Sequence, residues 1–213
     1  MIDSLVTLVV DLSGGMAALG IVLFTVAVRL LLLPLSVRQA RAVKVRERLA
    51  PKLRALRARH GRDPQRMSKE LSALYAAEGS SPFAGIVPSL AQVPFMWLMY
   101  RVATHPTALV GHDLFGAPLG QQVAGLVTHY GLVSGPILVF VVVVVMVAAV
   151  AWFSARQIKV SEELPGSVRR ISKLLPYGAV VATLVLPLAA GLYLLVSTAW
   201  ATGERAVLAS RPL

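Results

Sequence analysis

The sequence has no cysteine, which excludes disulfides, iron–sulfur clusters, cysteine nucleophiles and lipid-anchored cysteines. Acidic residues are scarce: 10 Asp and Glu stand against 21 Lys and Arg, and charged residues make up only 15% of the 213 positions. The chain is instead 56% hydrophobic, with a mean hydropathy of +0.72. So little charge cannot clothe a soluble globule of this size, and a soluble enzyme is the poorer reading. Catalytic signatures are missing too. With no HExxH, GxSxG or GxxxxGK[ST], an intramembrane protease or an ATP-driven pump lacks its parts. Three of the four histidines, His105, His112 and His129, fall in one loop without metal-ligand spacing, so neither a metal site nor a cofactor is read.

What the chain has is long uncharged runs: Leu12 to Val28, Gly79 to Tyr100, Leu114 to Ala155 and Leu174 to Gly203. Each holds at least one spanning helix of about 20 residues, the first by borrowing residues beyond Arg29. Basic residues fall between them unevenly. Twelve lie in Arg38 to Lys69, five in Arg156 to Lys173 and two in the C-terminal tail, leaving only Arg29 and Arg101 elsewhere. By the positive-inside rule, segments 38–83, 156–173 and the tail are cytoplasmic, and the N-terminus and loop 104–133 are outside. The last run holds 30 uncharged residues, roughly 45 Å as one helix, and Pro187 near its middle favours two short helices turning at Leu186 to Gly191. The expected fold is therefore all-α and membrane-integral, with five spans near 16–37, 84–103, 134–155, 173–186 and 188–207. Residues 16–208 form its core, residues 1–15 an interfacial helix outside, and 209–213 a cytoplasmic tail. Short final spans imply local bilayer thinning.

Between the first two spans, residues 38–83 read as an antiparallel helical hairpin. Val45, Leu49, Leu53 and Leu56 form one apolar stripe, and Met67, Leu71, Leu74 and Tyr75 form another. Asp63 is placed as an N-cap with Pro64 at N1, Gly79 ends the second helix, and Pro51 is expected to kink the first. The first helix carries nine basic residues, among them Arg46, Arg48, Lys52, Arg54, Arg57 and Arg59, against the single acid Glu47. One-sided charge of this kind attracts anionic lipid head groups or ribosomal RNA. Membrane orientation alone is the plainer explanation, since any loop flanking two spans collects Lys and Arg. No aromatic residues interleave with the charges, which argues against sequence-specific RNA reading.

The most informative residue is Arg29. Eight uncharged residues separate it from Arg38, placing it roughly 13 Å along a helix from the cytoplasmic boundary. A charge at that depth costs a few kcal/mol and belongs in a bundle interior or a hydrated cavity, unless the side chain snorkels to the head groups. Thr25 and Ser36 share its helical face, and Pro34 cannot donate to the Leu30 carbonyl. Gln92, in the antiparallel second span, reaches matching depth, although it also has backbone carbonyls of its own to bond. The spans are read as holding no Asp or Glu, so removing Arg29 is expected to leave no acidic partner unpaired.

These residues resemble the YidC-type membrane insertase family, which includes the Oxa proteins of mitochondria and the Alb proteins of thylakoids. The resemblance runs in order from Thr25-Val-Ala-Val-Arg29-Leu-Leu-Leu-Leu-Pro34-Leu through Leu49-Ala-Pro51, Asp63-Pro64, Leu74-Tyr75 and Gly79-Ser-Ser-Pro82. It continues in Pro88-Ser-Leu-Ala-Gln92-Val-Pro94-Phe95, Tyr100, Leu186-Pro187-Leu-Ala-Ala-Gly191-Leu-Tyr193 and Val196-Ser197, covering most of residues 16–208. It implies five core spans of a bacterial plasma-membrane protein and a hydrophilic groove open to cytoplasm and lipid but closed to the outside. Arg29 and Thr25 would line that groove, with Gln92 and Tyr193 beside them. The hairpin and tail would meet the ribosome, the substrate or the secretion translocon. Two positions depart from the pattern: Leu194, where relatives often carry a second aromatic, and the third span, which has no polar residue between Pro136 and Ser154. Both make the groove more apolar and bear on substrate range.

The expected function is insertion of nascent membrane proteins without nucleotide hydrolysis. A polar groove lowers the cost of carrying a hydrophilic tail through the inner half of the bilayer. Two rivals stand beside it. A small channel or transporter using Arg29 as an anion site would be supported by an inverted repeat, and none is found. A membrane-tethered ribosome receptor would need no charge inside the membrane, so the effect of neutralising Arg29 separates it from an insertase.

Overall fold

The computed structural model describes residues 16–60, 63–79, 81, 90, 93–95, 97, 98, 100, 101, 109–158 and 166–210. The described chain is mostly helical. By its internal contacts it divides into two compact units, one formed by residues 1–30 and 95–206 and the other by 31–94 and 207–213. The expected interfacial segment 1–15, Gln92 and most of the expected second span lie outside the described residues, although those described between Leu90 and Arg101 are helical.

Helix α1, Ala17–His60, is assigned without interruption through both Pro34 and Pro51. Two described helices are long and apolar enough to cross a membrane: the Ala17–Val45 part of α1, and α4, Gly135–Gln157. The apolar part of α1 buries Ala17, Ile21 and Thr25, one stripe at helical spacing, in the first unit, while Leu19, Leu23 and Leu30 remain exposed. Likewise α4 buries Phe140, Val143, Val147, Ala151 and Ser154 and leaves Val141, Val142, Val145, Met146, Trp152 and Phe153 exposed. Apolar side chains turned outward on both helices are what a lipid-facing surface requires.

In the second unit, α2, Pro64–Ala77, follows α1 after a short connection. The Asp63 side chain accepts hydrogen bonds from the backbone of Gln65 and Arg66, both at 3.1 Å, and Pro64 opens the helix. Gly79, at φ 62, follows the last turn, a conformation that suits glycine. Leu49 and Leu53 of α1 and Tyr75 of α2 form a buried cluster, with Val45, Leu71 and Leu74 packed on it. Nearer the connection, His60 lies 3.3 Å from Glu70. Partners thus run in opposite order along the two helices.

The first unit contains a small element that periodicity did not reveal: strands β1, Asp113–Leu114, and β2, Ala117–Pro118, paired antiparallel. Phe115 (φ 50) and Gly116 (φ 82) make a two-residue turn with both φ positive, the form that matches strand twist. Two residues per strand are too few for alternation to be legible, so the all-α expectation missed them. Helix α3, Val123–Tyr130, follows and ends at Gly131.

At the other end of the chain, α5 (Gly166–Leu174) leads through a single 3-10 turn (Leu175–Tyr177) into α6 (Gly178–Val185), and α7 (Leu188–Ser210) follows. The reversal falls at Leu186 and Pro187, the start of the window expected for it. Here the loop does structural work on the helix. The Leu188 and Ala189 amides donate to the Gln121 and Leu119 carbonyls at 3.0 and 2.9 Å, and the Ala190 and Gly191 amides donate to Pro187. Pro187 has no N–H, so the three donors that this helix N-terminus leaves open, those of Leu188, Ala189 and Ala190, are all satisfied, and the Gly191 amide makes the first regular helical bond. Leu119, Leu126 and Leu188 are fully buried around this junction, which seals that end of the unit with apolar packing.

Candidate functional site: a polar stripe on the last helix

Arg29 sits on α1 within an otherwise apolar stretch, and its Nη2 donates to the Ser197 hydroxyl of α7 at 2.6 Å. The contact joins residues 168 positions apart in sequence. Spacing along α7 explains why a polar face arises there: Tyr193, Ser197, Trp200 and Glu204 follow at intervals of four, three and four, one side of a helix. Ser197 is buried at 3% exposure and Tyr193 at 6%. Both Tyr193 and Glu204 lie close enough to act electrostatically on Arg29.

Thr25, one turn before Arg29, is 1% exposed, and its hydroxyl donates to the Ile21 carbonyl at 2.6 Å. It places a satisfied polar group beneath the arginine without adding a free donor. Ser36 belongs to the second unit, where its hydroxyl donates to the Leu32 carbonyl at 3.3 Å. Of the expected groove residues, the first unit thus brings together Arg29, Thr25 and Tyr193. Gln92 lies outside the described residues. On the basic helix, Arg48, Lys52, Arg54 and Arg59 are exposed, and the side chains of Arg46 and Arg57 fall outside the described set.

A second polar group lies on another face of α7. Arg205 donates through Nη2 to the Ser154 hydroxyl of α4 at 2.8 Å and to the Thr202 hydroxyl at 3.4 Å, and through Nε to the Ala201 carbonyl at 3.0 Å. Ser154 and Thr202 are buried at 4% and 3% exposure. Ser154, the polar residue near the C-terminal end of the apolar helix α4, therefore has a defined partner. The sequence reading named Ser197 only within the resemblance, as Val196-Ser197, without a groove role, and it missed Glu204 and this group. The i, i+4, i+7, i+11 pattern from Tyr193 to Glu204 was the available signal. Glu204 also corrects the expectation that the spans hold no acidic residue: it falls inside the expected span 188–207 and on α7, just past the uncharged run that ended at Gly203.

An arginine bonded between two helices, one of them long and apolar enough to span a bilayer, fits a helical membrane protein with a polar group in its interior. Residues 9–212 match the 60Kd inner membrane protein family, and the chain belongs to that family. It is 31% identical over 193 residues to the membrane protein insertase YidC of Alkalihalophilus pseudofirmus, an alignment covering 87% of this chain and 69% of that one. It is 30% identical over 164 residues to the membrane protein insertase YidC of Streptomyces avermitilis, covering 68% and 38%. Against the membrane protein insertase MisCA of Bacillus subtilis it is 30% identical over 125 residues, covering 57% and 48%. The chain therefore spans just over two thirds of the first relative's length and less than half of the other two.

Proposed function

We infer that this chain is a membrane protein insertase: it helps nascent membrane proteins pass from water into lipid, without nucleotide hydrolysis. Family membership supports the class, and the observation that carries the mechanism is the Arg29–Ser197 bond between α1 and α7. In this reading the chain crosses a bacterial plasma membrane five times, N-terminus outside and C-terminus in the cytoplasm. The α1–α2 pair is a cytoplasmic hairpin. Arg29, with Thr25, Ser36, Gln92 and Tyr193, lines a groove open to cytoplasm and lipid.

The physics follows from the placement of charge. A hydrophilic tail crossing hydrocarbon loses its water, and a fixed guanidinium with neighbouring hydroxyls supplies replacement hydrogen bonds part of the way. Ser197 holds the guanidinium at one nitrogen, leaving the rest of its five-donor fork for a passing carboxylate or carbonyl. The substrate's apolar segment then moves sideways into lipid, where it gains about 0.8 kcal/mol for each methylene buried. The apolar seal around Leu119, Leu126 and Leu188 keeps the opposite end of the path closed.

The basic face of α1 is the recruitment surface in this reading, with the ribosome, anionic lipids and the secretion translocon as its partners. Reconstitution tests the proposal. Purified protein in liposomes is expected to insert a short single-span substrate, and Arg29→Ala is expected to lose insertion of acidic-tailed substrates by about tenfold or more, a transition-state loss of ~1.4 kcal/mol. Insertion unchanged by Arg29→Ala would leave the helices as an anchor and favour the receptor reading.

A further inference from the structure

The proposed groove is not purely cationic. Glu204 lies seven residues beyond Ser197 on the same face of α7, about 10 Å along the helix. Its Oε1 is shielded from solvent and has no hydrogen-bond partner. Its electrostatic influence reaches Arg29 as well as its neighbour Arg205, whose own charge acts on Arg29 in the opposite sense. Arg205, although adjacent in sequence, directs Nε and Nη2 to Ala201, Ser154 and Thr202. A shielded carboxylate oxygen without a donor is costly, and it favours any arrangement that brings a donor or a positive charge to it.

We propose that Glu204 sets which tail charges the groove accepts, acting as an internal carboxylate that competes with an acidic substrate for Arg29. This rests on the insertase reading above. With Glu204 ionised, an incoming carboxylate meets an arginine whose field is already partly cancelled, and it approaches a like charge on α7. A neutral tail meets neither effect. A basic residue in the tail gains a counter-charge that Arg29 and Ser197 alone would not provide. The chain is thus built to carry tails of low or mixed charge, which agrees with the apolar character of its third span.

The test uses the intact chain in liposomes with one single-span probe bearing an acidic, a neutral or a basic tail. Glu204→Gln, which preserves shape, is expected to raise acidic-tail insertion relative to neutral roughly three- to tenfold and to lower basic-tail insertion relative to neutral. Glu204→Asp is expected to keep the wild-type ratios, which a purely space-filling role would not explain. Thermal unfolding in detergent of Arg29→Gln, Glu204→Gln and the double variant supplies an independent reading: the proposal requires that the two effects be non-additive. A uniform change for all three tails, or additive stabilities, overturns the assignment while leaving the insertase reading intact. Failure of the wild type to insert any tail overturns the insertase reading and this selection with it.

Discussion

In the insertase reading, Arg29 is both a structural and a functional side chain. Its bond to Ser197 ties α1 to α7, so its removal costs more than a field: Ser197 loses a charged donor and Glu204 loses a compensating charge. Arg29→Ala is therefore expected to lower stability in detergent by about 1–3 kcal/mol, measured by thermal unfolding. Arg29→Lys retains the charge without the planar fork and is expected to keep most insertion of acidic-tailed substrates. If lysine and alanine lose insertion equally, geometry at Ser197 matters and charge does not. A different kind of strain sits at Phe115, where a bulky residue holds φ 50 at the turn between β1 and β2, with 87% of its surface exposed. Phe115→Asn suits that conformation better and is expected to stabilise the unit by about 0.5–1 kcal/mol. A lowered melting temperature would instead reveal packing of the ring.

Among elements, the reversal between α6 and α7 depends on one small residue. A Cβ added at Gly191 would lie 2.8 Å from the Thr183 Cγ2 and 3.7 Å from the Val143 Cγ1. Thr183 is fully buried and its hydroxyl donates to the Ala179 carbonyl at 2.8 Å, so the methyl cannot swing away without losing that bond. Gly191→Ala is expected to cost about 1–3 kcal/mol through overpacking, and Thr183→Ser, which removes the methyl alone, should restore much of it; the check is thermal unfolding of both variants and their combination. Pro187 made this reversal legible in the sequence, just as Asp63, Pro64 and Gly79 marked the ends of α2. Those residues act through their own backbone, and local rules reach them. The spacing from Tyr193 to Glu204 puts Ser197 on a polar face, but its partner lies 168 residues away in sequence, where local rules do not reach. Nor could the N-terminus of α7, whose donors are satisfied by carbonyls of Leu119 and Gln121 rather than by a capping side chain. The arginine itself was legible, since a charge inside an apolar run is conspicuous without any knowledge of its neighbours.

For the molecule as a whole, charge asymmetry and apolar length must agree on how the chain crosses the bilayer. Arg101 lies 5.6 Å from the Trp97 ring centroid and Arg156 3.5 Å from that of Trp152, cation–aromatic pairs one turn apart of the kind that suit a membrane boundary. In the five-span reading these pairs mark opposite faces. The absence of cysteine makes this directly measurable: single cysteines at Ser4 and Val110 should react with an impermeant reagent from outside, and one at Ser210 should not. Reaction at Ser210 would remove a span and with it the cytoplasmic tail. The same orientation puts the exposed Arg48, Lys52, Arg54 and Arg59 in the cytoplasm, facing the phosphate-rich surfaces of ribosomes and of the inner leaflet. Orientation and recruitment both call for positive charge, but they respond differently to salt. Phosphate binding releases condensed counterions, so its logarithmic salt slope should fall by about 0.7–0.9 for each phosphate that is no longer neutralised, whereas topology, once established, is insensitive to salt. Changing these four residues to Gln is expected to weaken binding to ribosomes or anionic vesicles and to flatten the salt dependence. The cluster of Leu49, Leu53 and Tyr75 lies on another face of the helix, so the α1–α2 pair should remain folded. Binding that keeps its strength and its salt slope would assign this charge to orientation alone.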